Sequence, residues 1–193
     1  MRLLSCGDQA VLLDCASLAE ATGWFAALDD LDPVLGAQTV LLHGNPAELR
    51  ATVAARKPKP PAAATEADEV VIAVAYDGPD LAEVAALTGL SDDEVITAHT
   101  GTAWTVGFVG FAPGFAYLAG GDPRLRVPRR ATPRPQVPAG AVGLASDFSG
   151  IYPRSSPGGW QLIGHTDVDL FDVDRNPPAL LQPGMQVRFE ARL

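Results

Sequence analysis

The chain has 193 residues, 47% hydrophobic and 19% charged, which is apolar material enough for a real core and excludes a disordered segment. Fourteen basic side chains against 23 acidic ones give a formal net charge of -9, which opposes any sequence-independent hold on a nucleic-acid backbone. Cys6 and Cys15 lack CxxC spacing and no long apolar run follows the start, so secretion and membrane spanning are disfavoured and a reducing cytoplasm is the expected location.

In chain order, Arg2–Ser5 and Ala10–Leu13 read as strands around a Gly7-Asp8 turn. Ser17 then caps a helix with Leu18, Ala21, Trp24, Phe25 and Leu28 on its apolar face. A strand over Thr39–Leu42 and a helix with Asn45 as cap and Pro46 at its first position complete a small α+β domain, residues 1–56. Its cysteines are expected as small buried thiols, with a pairing across the first hairpin as the alternative. Residues 57–69 read as a Pro/Ala-rich linker, and they hold both lysines of the chain, Lys57 and Lys59. A P-loop, which needs Lys after Gly, is therefore excluded, and a Schiff-base lysine is improbable.

The composition changes after the linker, since residues 70–193 carry fifteen of the 19 glycines and twelve of the 17 prolines. A strand over Glu69–Ala75 opens this second domain. A helix through Leu81, Val84, Ala85 and Leu87 follows and stops at Gly89, and Ser91 with Glu94 forms a capping box for another, with His99 in its last turn. Beyond Thr102 only short apolar runs remain, among them Ala103–Val106, Val142–Ala145, Trp160–Ile163 and Gln186–Phe189. That spacing predicts a mainly-β barrel or sandwich with a helical insertion.

Two loops set aromatics beside glycine: Phe111-Ala112-Pro113-Gly114-Phe115-Ala116-Tyr117-Leu118 and Ser156-Pro157-Gly158-Gly159-Trp160. Glycine lets a ligand approach the main chain, so these loops read either as tight barrel turns or as pocket walls. Arg124, Arg126, Arg129, Arg130 and Arg134 form the dense cationic run, which Pro123, Pro128, Pro133 and Pro135 keep extended. It is a solvated loop, a carboxylate-binding rim or a dock for an acidic partner. The expected pocket gathers His99 and Arg134 as catalytic groups with Phe115, Tyr117, Gly158, Gly159 and Trp160 as substrate-binding residues. His99 equally suits a partly exposed capping role at its helix end, and His43 reads as structural. Ser146, Asp147 and Ser149 share a loop without a GxSxG elbow, which argues against a self-contained triad. His43, His99 and His165 lack zinc-ligand spacing, so no metal is expected.

The run Gly107-Phe108-Val109-Gly110-Phe111-Ala112-Pro113-Gly114-Phe115-Ala116-Tyr117-Leu118, then Pro128-Arg129-Arg130, Pro133-Arg134, Val137-Pro138-Ala139-Gly140, Gly150-Ile151-Tyr152-Pro153 and Ser156–Trp160, resembles the 5-oxoprolinase B-subunit family, also called allophanate hydrolase subunit 1. The resemblance covers residues 76–190. It implies a ferredoxin-like α+β first domain and a cyclophilin-like β-barrel at 70–193. It further implies a subunit of a complex that opens 5-oxoproline to glutamate with ATP, working with a homologous larger subunit and a third component of TIM-barrel type. ATP would be used at the level of the complex, since this chain shows no site for it. The same family includes a Kip-type inhibitor that docks on a sensor histidine kinase, and part of the carboxyltransferase region of urea carboxylase. A regulatory role and a urea- or allophanate-directed role are thus the alternatives. Two departures stand out: Gly164-His165-Thr166-Asp167 replaces the family's usual Arg and Thr-Pro, and the connection from Leu31 through Gly36 to Thr39 is short, which predicts a first sheet lacking part of a strand.

Overall fold

Alternating apolar residues build the first sheet. Strand β2 (Ala10–Asp14) buries Val11 and Leu13, and β4 (Thr39–His43) buries Val40 and Leu42. Register sets Val11 opposite Leu42 and Leu13 opposite Val40, so all four share one face. With β1 (Arg2–Ser5) and β3 (Val34–Leu35) they form an antiparallel sheet of order β1-β2-β4-β3. The short connection before Thr39 yields only the two residues of β3.

Helix α1 (Leu18–Ala27) starts where the Ser17 hydroxyl accepts the Glu20 N–H at 3.2 Å. Helix α2 (Pro46–Ala54) starts where the Asn45 side chain accepts the Ala47 N–H at 2.9 Å. They bury Ala21 and Trp24, and Leu49 and Val53, respectively. The architecture is α+β, but the elements run β-β-α-β-β-α, whereas a ferredoxin-like domain runs β-α-β-β-α-β. Here the strand beside β2 comes from before it in the chain.

Register also corrects the cysteine expectation. Arg2 lies opposite Asp14 and Ser5 opposite Val11, so Cys6 and Cys15 sit at opposite ends of the hairpin. Both are free thiols, Cys6 exposed and Cys15 buried. His43 is exposed at the end of its strand.

The computed structural model describes residues 1–60 and 69–192, and its contacts divide the chain into two units, Met1–Ala63 and Ala64–Leu193. Most of the expected 57–69 linker, residues 61–68, lies outside the described residues. The Lys59 N–H donates to the Gly23 carbonyl of α1 at 2.9 Å, with Pro58 against the same glycine.

The second unit is mainly β. Its large sheet contains β5 (Glu69–Val74), β6 (Trp104–Val109), β7 (Ala116–Ala119), β9 (Ala141–Ala145), β10 (Phe148–Ile151), β12 (Gln161–His165) and β13 (Gln186–Ala191). The order is β12-β9-β10-β7-β6-β13-β5. Every neighbouring pair is antiparallel except β13 with β5. Ala75 and His165 exchange two backbone hydrogen bonds, each 2.9 Å, which joins the two ends into a nearly closed barrel. A separate pair, β8 (Arg134–Val137) and β11 (Ser156–Gly158), lies outside that sheet.

Helices α3 (Leu81–Thr88) and α4 (Asp92–Thr100) form the insertion between β5 and β6. The α4 capping box is complete, with the Ser91 N–H donating to Glu94 at 2.8 Å and the Glu94 N–H donating back to the Ser91 hydroxyl at 3.3 Å. Val84 and Val95 from these helices meet Trp104, Leu118, Leu144 and Phe189 in the main core. No helix among the described residues is long and apolar enough to cross a membrane.

Candidate functional site

A second, smaller apolar cluster holds Phe115, Tyr152 and Trp160, all nearly fully buried. Their rings meet edge to face, with Phe115 5.5 Å from both Tyr152 and Trp160 between centroids. Tyr117 stacks on Phe108 at 4.1 Å and sets its ring 5.6 Å from Trp160. Together Phe115, Tyr117, Tyr152 and Trp160 wall a small pocket of about 70 Å³, which Pro157, Gly158 and Gly159 of the β11 segment complete.

Phe111 stands at the mouth, 60% exposed, on a backbone with φ of 68°. A bulky residue in that region is strained, and the Gly110–Phe115 turn holds it there through the Gly110 N–H to Phe115 carbonyl bond at 3.2 Å. The two glycines differ in what surrounds them. A Cβ on Gly158 would lie 2.3 Å from the Tyr152 hydroxyl, whereas one on Gly159 would meet nothing nearer than Pro133 at 3.7 Å.

The structure therefore brings five of the expected residues together: Phe115, Tyr117, Gly158, Gly159 and Trp160. It places the two expected catalytic groups elsewhere. His99 is fully buried in the barrel core, stacked on Phe189 at 4.2 Å. Its Nδ1 lies 2.7 Å from the Tyr76 hydroxyl and its Nε2 2.8 Å from that of Ser149. Burial pulls its pKa down to about 3, so the imidazole is neutral, and neither exposed capping nor the pocket describes it.

Arg134 lies on β8, but its Nη2 donates to the Asp80 carboxylate at 2.7 Å. Asp80 also accepts Arg130 Nη1 at 2.8 Å and the Leu162 N–H at 2.7 Å, and its side chain is only 3% exposed. Burial works to raise the Asp80 carboxyl, yet the Arg134 hydrogen bond, the Leu162 amide and the two guanidinium charges together hold it below the usual range. Because the Arg130 N–H donates to the Gly159 carbonyl and Gly158 pairs with Arg134, this buried carboxylate ties down the segment that borders the pocket.

The sequence reading missed Asp80, whose position before α3 signals an ordinary helix cap; its side chain makes no cap bond. It also left Tyr152 unassigned and did not separate Arg129, which lines the pocket, from its arginine neighbours. His165, the departure from the family pattern, sets Nδ1 2.7 Å from Asp77 and Nε2 3.1 Å from Arg192. Among the described residues no cluster of three metal-type ligands occurs.

Comparison with known proteins places this geometry. The family described as "Carboxyltransferase domain, subdomain C and D" matches residues 1–181. The 5-oxoprolinase B-subunit of Escherichia coli O157:H7 is 54% identical over 112 residues, 58% of this chain and 51% of that protein. A conserved uncharacterized protein from Pyrococcus horikoshii superposes with a TM-score of 0.64 at 30% identity, covering 99% of this chain and 97% of its own. Kluyveromyces lactis urea carboxylase shares the fold, with a TM-score of 0.77 at 16% identity over 99% of this chain and 22% of its own. The chain aligns with about half the length of the curated relatives it matches. It belongs to the family of carboxyltransferase domains, subdomains C and D, within which its kinship is with the 5-oxoprolinase B-subunits.

Proposed function

We propose that this chain is a subunit of an ATP-dependent 5-oxoprolinase that opens the 5-oxoproline lactam to glutamate. In this reading the second unit is a cyclophilin-like barrel, and its pocket receives the lactam ring. The observation that carries the proposal is the meeting of Phe115, Tyr117, Tyr152 and Trp160 with bare glycine backbone, in a stretch that resembles the relatives named for this reaction. Opening the ring breaks the amide C–N bond, bonds a water oxygen to the carbonyl carbon and leaves a free amine. Aromatic faces suit a flat five-membered amide, and exclusion of water there strengthens any hydrogen bond to the carbonyl as it gains negative charge.

The pocket, at about 70 Å³, does not fit a nucleoside triphosphate, and no basic Gly-rich loop borders it. ATP is therefore assigned to another component, and the complex includes a homologous larger subunit and a third protein of TIM-barrel type. Coexpression of the three chains, purification on a tag carried by this one, and assay of glutamate formed from 5-oxoproline with ATP test the reading. Joint elution and turnover that disappears when this chain is omitted are expected. Full turnover without it, or separate elution at micromolar concentration, defeats the proposal.

A further inference from the structure

Five arginines crowd residues 124–134, and four of them are committed to carboxylates. Arg124 pairs with Asp122, Arg126 with Asp147, and Arg130 and Arg134 share Asp80. Arg129 has no such partner among the described residues, is exposed, and is the one cation lining the aromatic pocket. Its charge reaches both phenols there, opposing the upward push of burial on Tyr117 and on Tyr152. Backbone geometry aims it. Pro128 before it keeps the chain from turning helical, and the next residue, Arg130, is clamped at both ends, through its N–H to the Gly159 carbonyl at 2.8 Å and through its guanidinium to Asp80. Arg129 thus extends from a fixed peptide into a pocket whose other walls carry no formal charge.

We propose that Arg129 is the residue by which this pocket recognises a carboxylate, so that its ligands are small, flat, five-membered rings bearing one anionic carboxylate. A guanidinium beside aromatic walls offers two parallel N–H donors to the carboxylate while the ring lies against the phenol and indole faces. Arg134, the sequence candidate for this task, is held by Asp80 instead. The inference rests on the lactam reading only for the identity of the ring.

The test titrates the ¹⁵N-labelled full chain with 5-oxoproline, with 2-pyrrolidinone, which is the same lactam without a carboxylate, and with cyclopentanecarboxylate, an anion without a lactam. Affinity is read from the amide signals of Gly158 and Gly159 and the indole signal of Trp160. For the parent chain, 5-oxoproline should bind ten- to a hundredfold more tightly than 2-pyrrolidinone, the range expected of a charge-assisted contact. Arg129→Gln should bring the two within about twofold, leave 2-pyrrolidinone unchanged and abolish cyclopentanecarboxylate binding, while Arg129→Lys should keep part of the preference. Should the preference survive in Arg129→Gln, the role passes to another cation, foremost the buried and unpaired Nη1 of Arg134, and the assignment is overturned. If 2-pyrrolidinone binds and the carboxylates gain nothing, the Arg129 assignment fails and the lactam reading stands. Cyclopentanecarboxylate binding that depends on Arg129, with no response to either lactam, defeats the lactam reading and supports the anion site. Silence from all three probes defeats both.

Discussion

Arg134 donates to Asp80 at 2.7 Å across 54 positions of sequence, and that single contact converts an apparent substrate clamp into a strut. Arg130 and the Leu162 amide complete the same cradle. Removing one member of a buried, hydrogen-bonded ion pair strands the others, at a typical cost of about 3–5 kcal/mol. Asp80→Asn should accordingly lower the urea midpoint by an amount equivalent to about 3 kcal/mol. A loss below about 1 kcal/mol would show that solvent already screens the cluster.

The same contrast separates neighbouring arginines. Arg134→Ala should destabilise the fold by about 2 kcal/mol or more, because it leaves buried Asp80 short of a donor. Arg129→Ala, which removes no protein partner, should stay within about 0.5 kcal/mol of the parent in thermal unfolding. Equal losses in the two variants would contradict the division of labour described above.

Gly158 and Gly159 should also part company. A methyl group on Gly158 must displace the Tyr152 ring, which is 2% exposed and has little room to move. Overpacking of this kind costs about 1–3 kcal/mol. Gly158→Ala should therefore unfold at lower temperature, and Tyr152→Phe in the same chain should recover part of the loss by removing the nearest atom. Gly159→Ala should be close to neutral, since its nearest neighbour is 3.7 Å away.

His99 predicts an acid dependence. Its folded-state pKa of about 3 lies below the unfolded value near 6.5, so between those limits the unfolded chain binds a proton that the native chain refuses. Stability from this group is complete above about pH 6.5 and is lost as pH falls toward 3, by up to about 1.4 kcal/mol per pH unit. Denaturant midpoints at pH 7.5 and 5 should differ by about 2 kcal/mol from this source, with a smaller difference in His99→Gln. In the native chain the His99 ring signals should remain those of a neutral imidazole at pH 5; titration near 6.5 would refute the buried assignment.

How much of this was legible in sequence depends on how far each residue reaches. The Ser17, Asn45 and Ser91 caps, the Gly89 stop and the alternating strands were readable because their causes lie within a turn or two of chain. The aromatic pocket was readable because its two loops carry the aromatics and glycines themselves. Asp80 was not, since its partners lie 50, 54 and 82 positions away and an Asp before a helix already has a sufficient local explanation. His99 misled for the same reason. A histidine in the last turn of a short helix looks like a cap until β13 covers it and Phe189 stacks on its ring. The first sheet was legible strand by strand, whereas its order depends on where the N-terminal hairpin docks.

The barrel also dictates when it can form. β13 lies between β6 and β5 and matches β5 residue for residue over Gln186–Ala191, although more than a hundred positions separate them. On the ribosome, β5, α3 and α4 are made long before the strand that pairs with them, so until residue 191 has left the exit tunnel the early strand has an open edge and His99 lacks its stacking partner. Closure is thus a late, all-or-none event in synthesis, and stalled nascent chains ending before Gln186 should be open to proteolysis that the completed chain resists. In the cell this makes the growing polypeptide, rather than the finished protein, the form most in need of a chaperone.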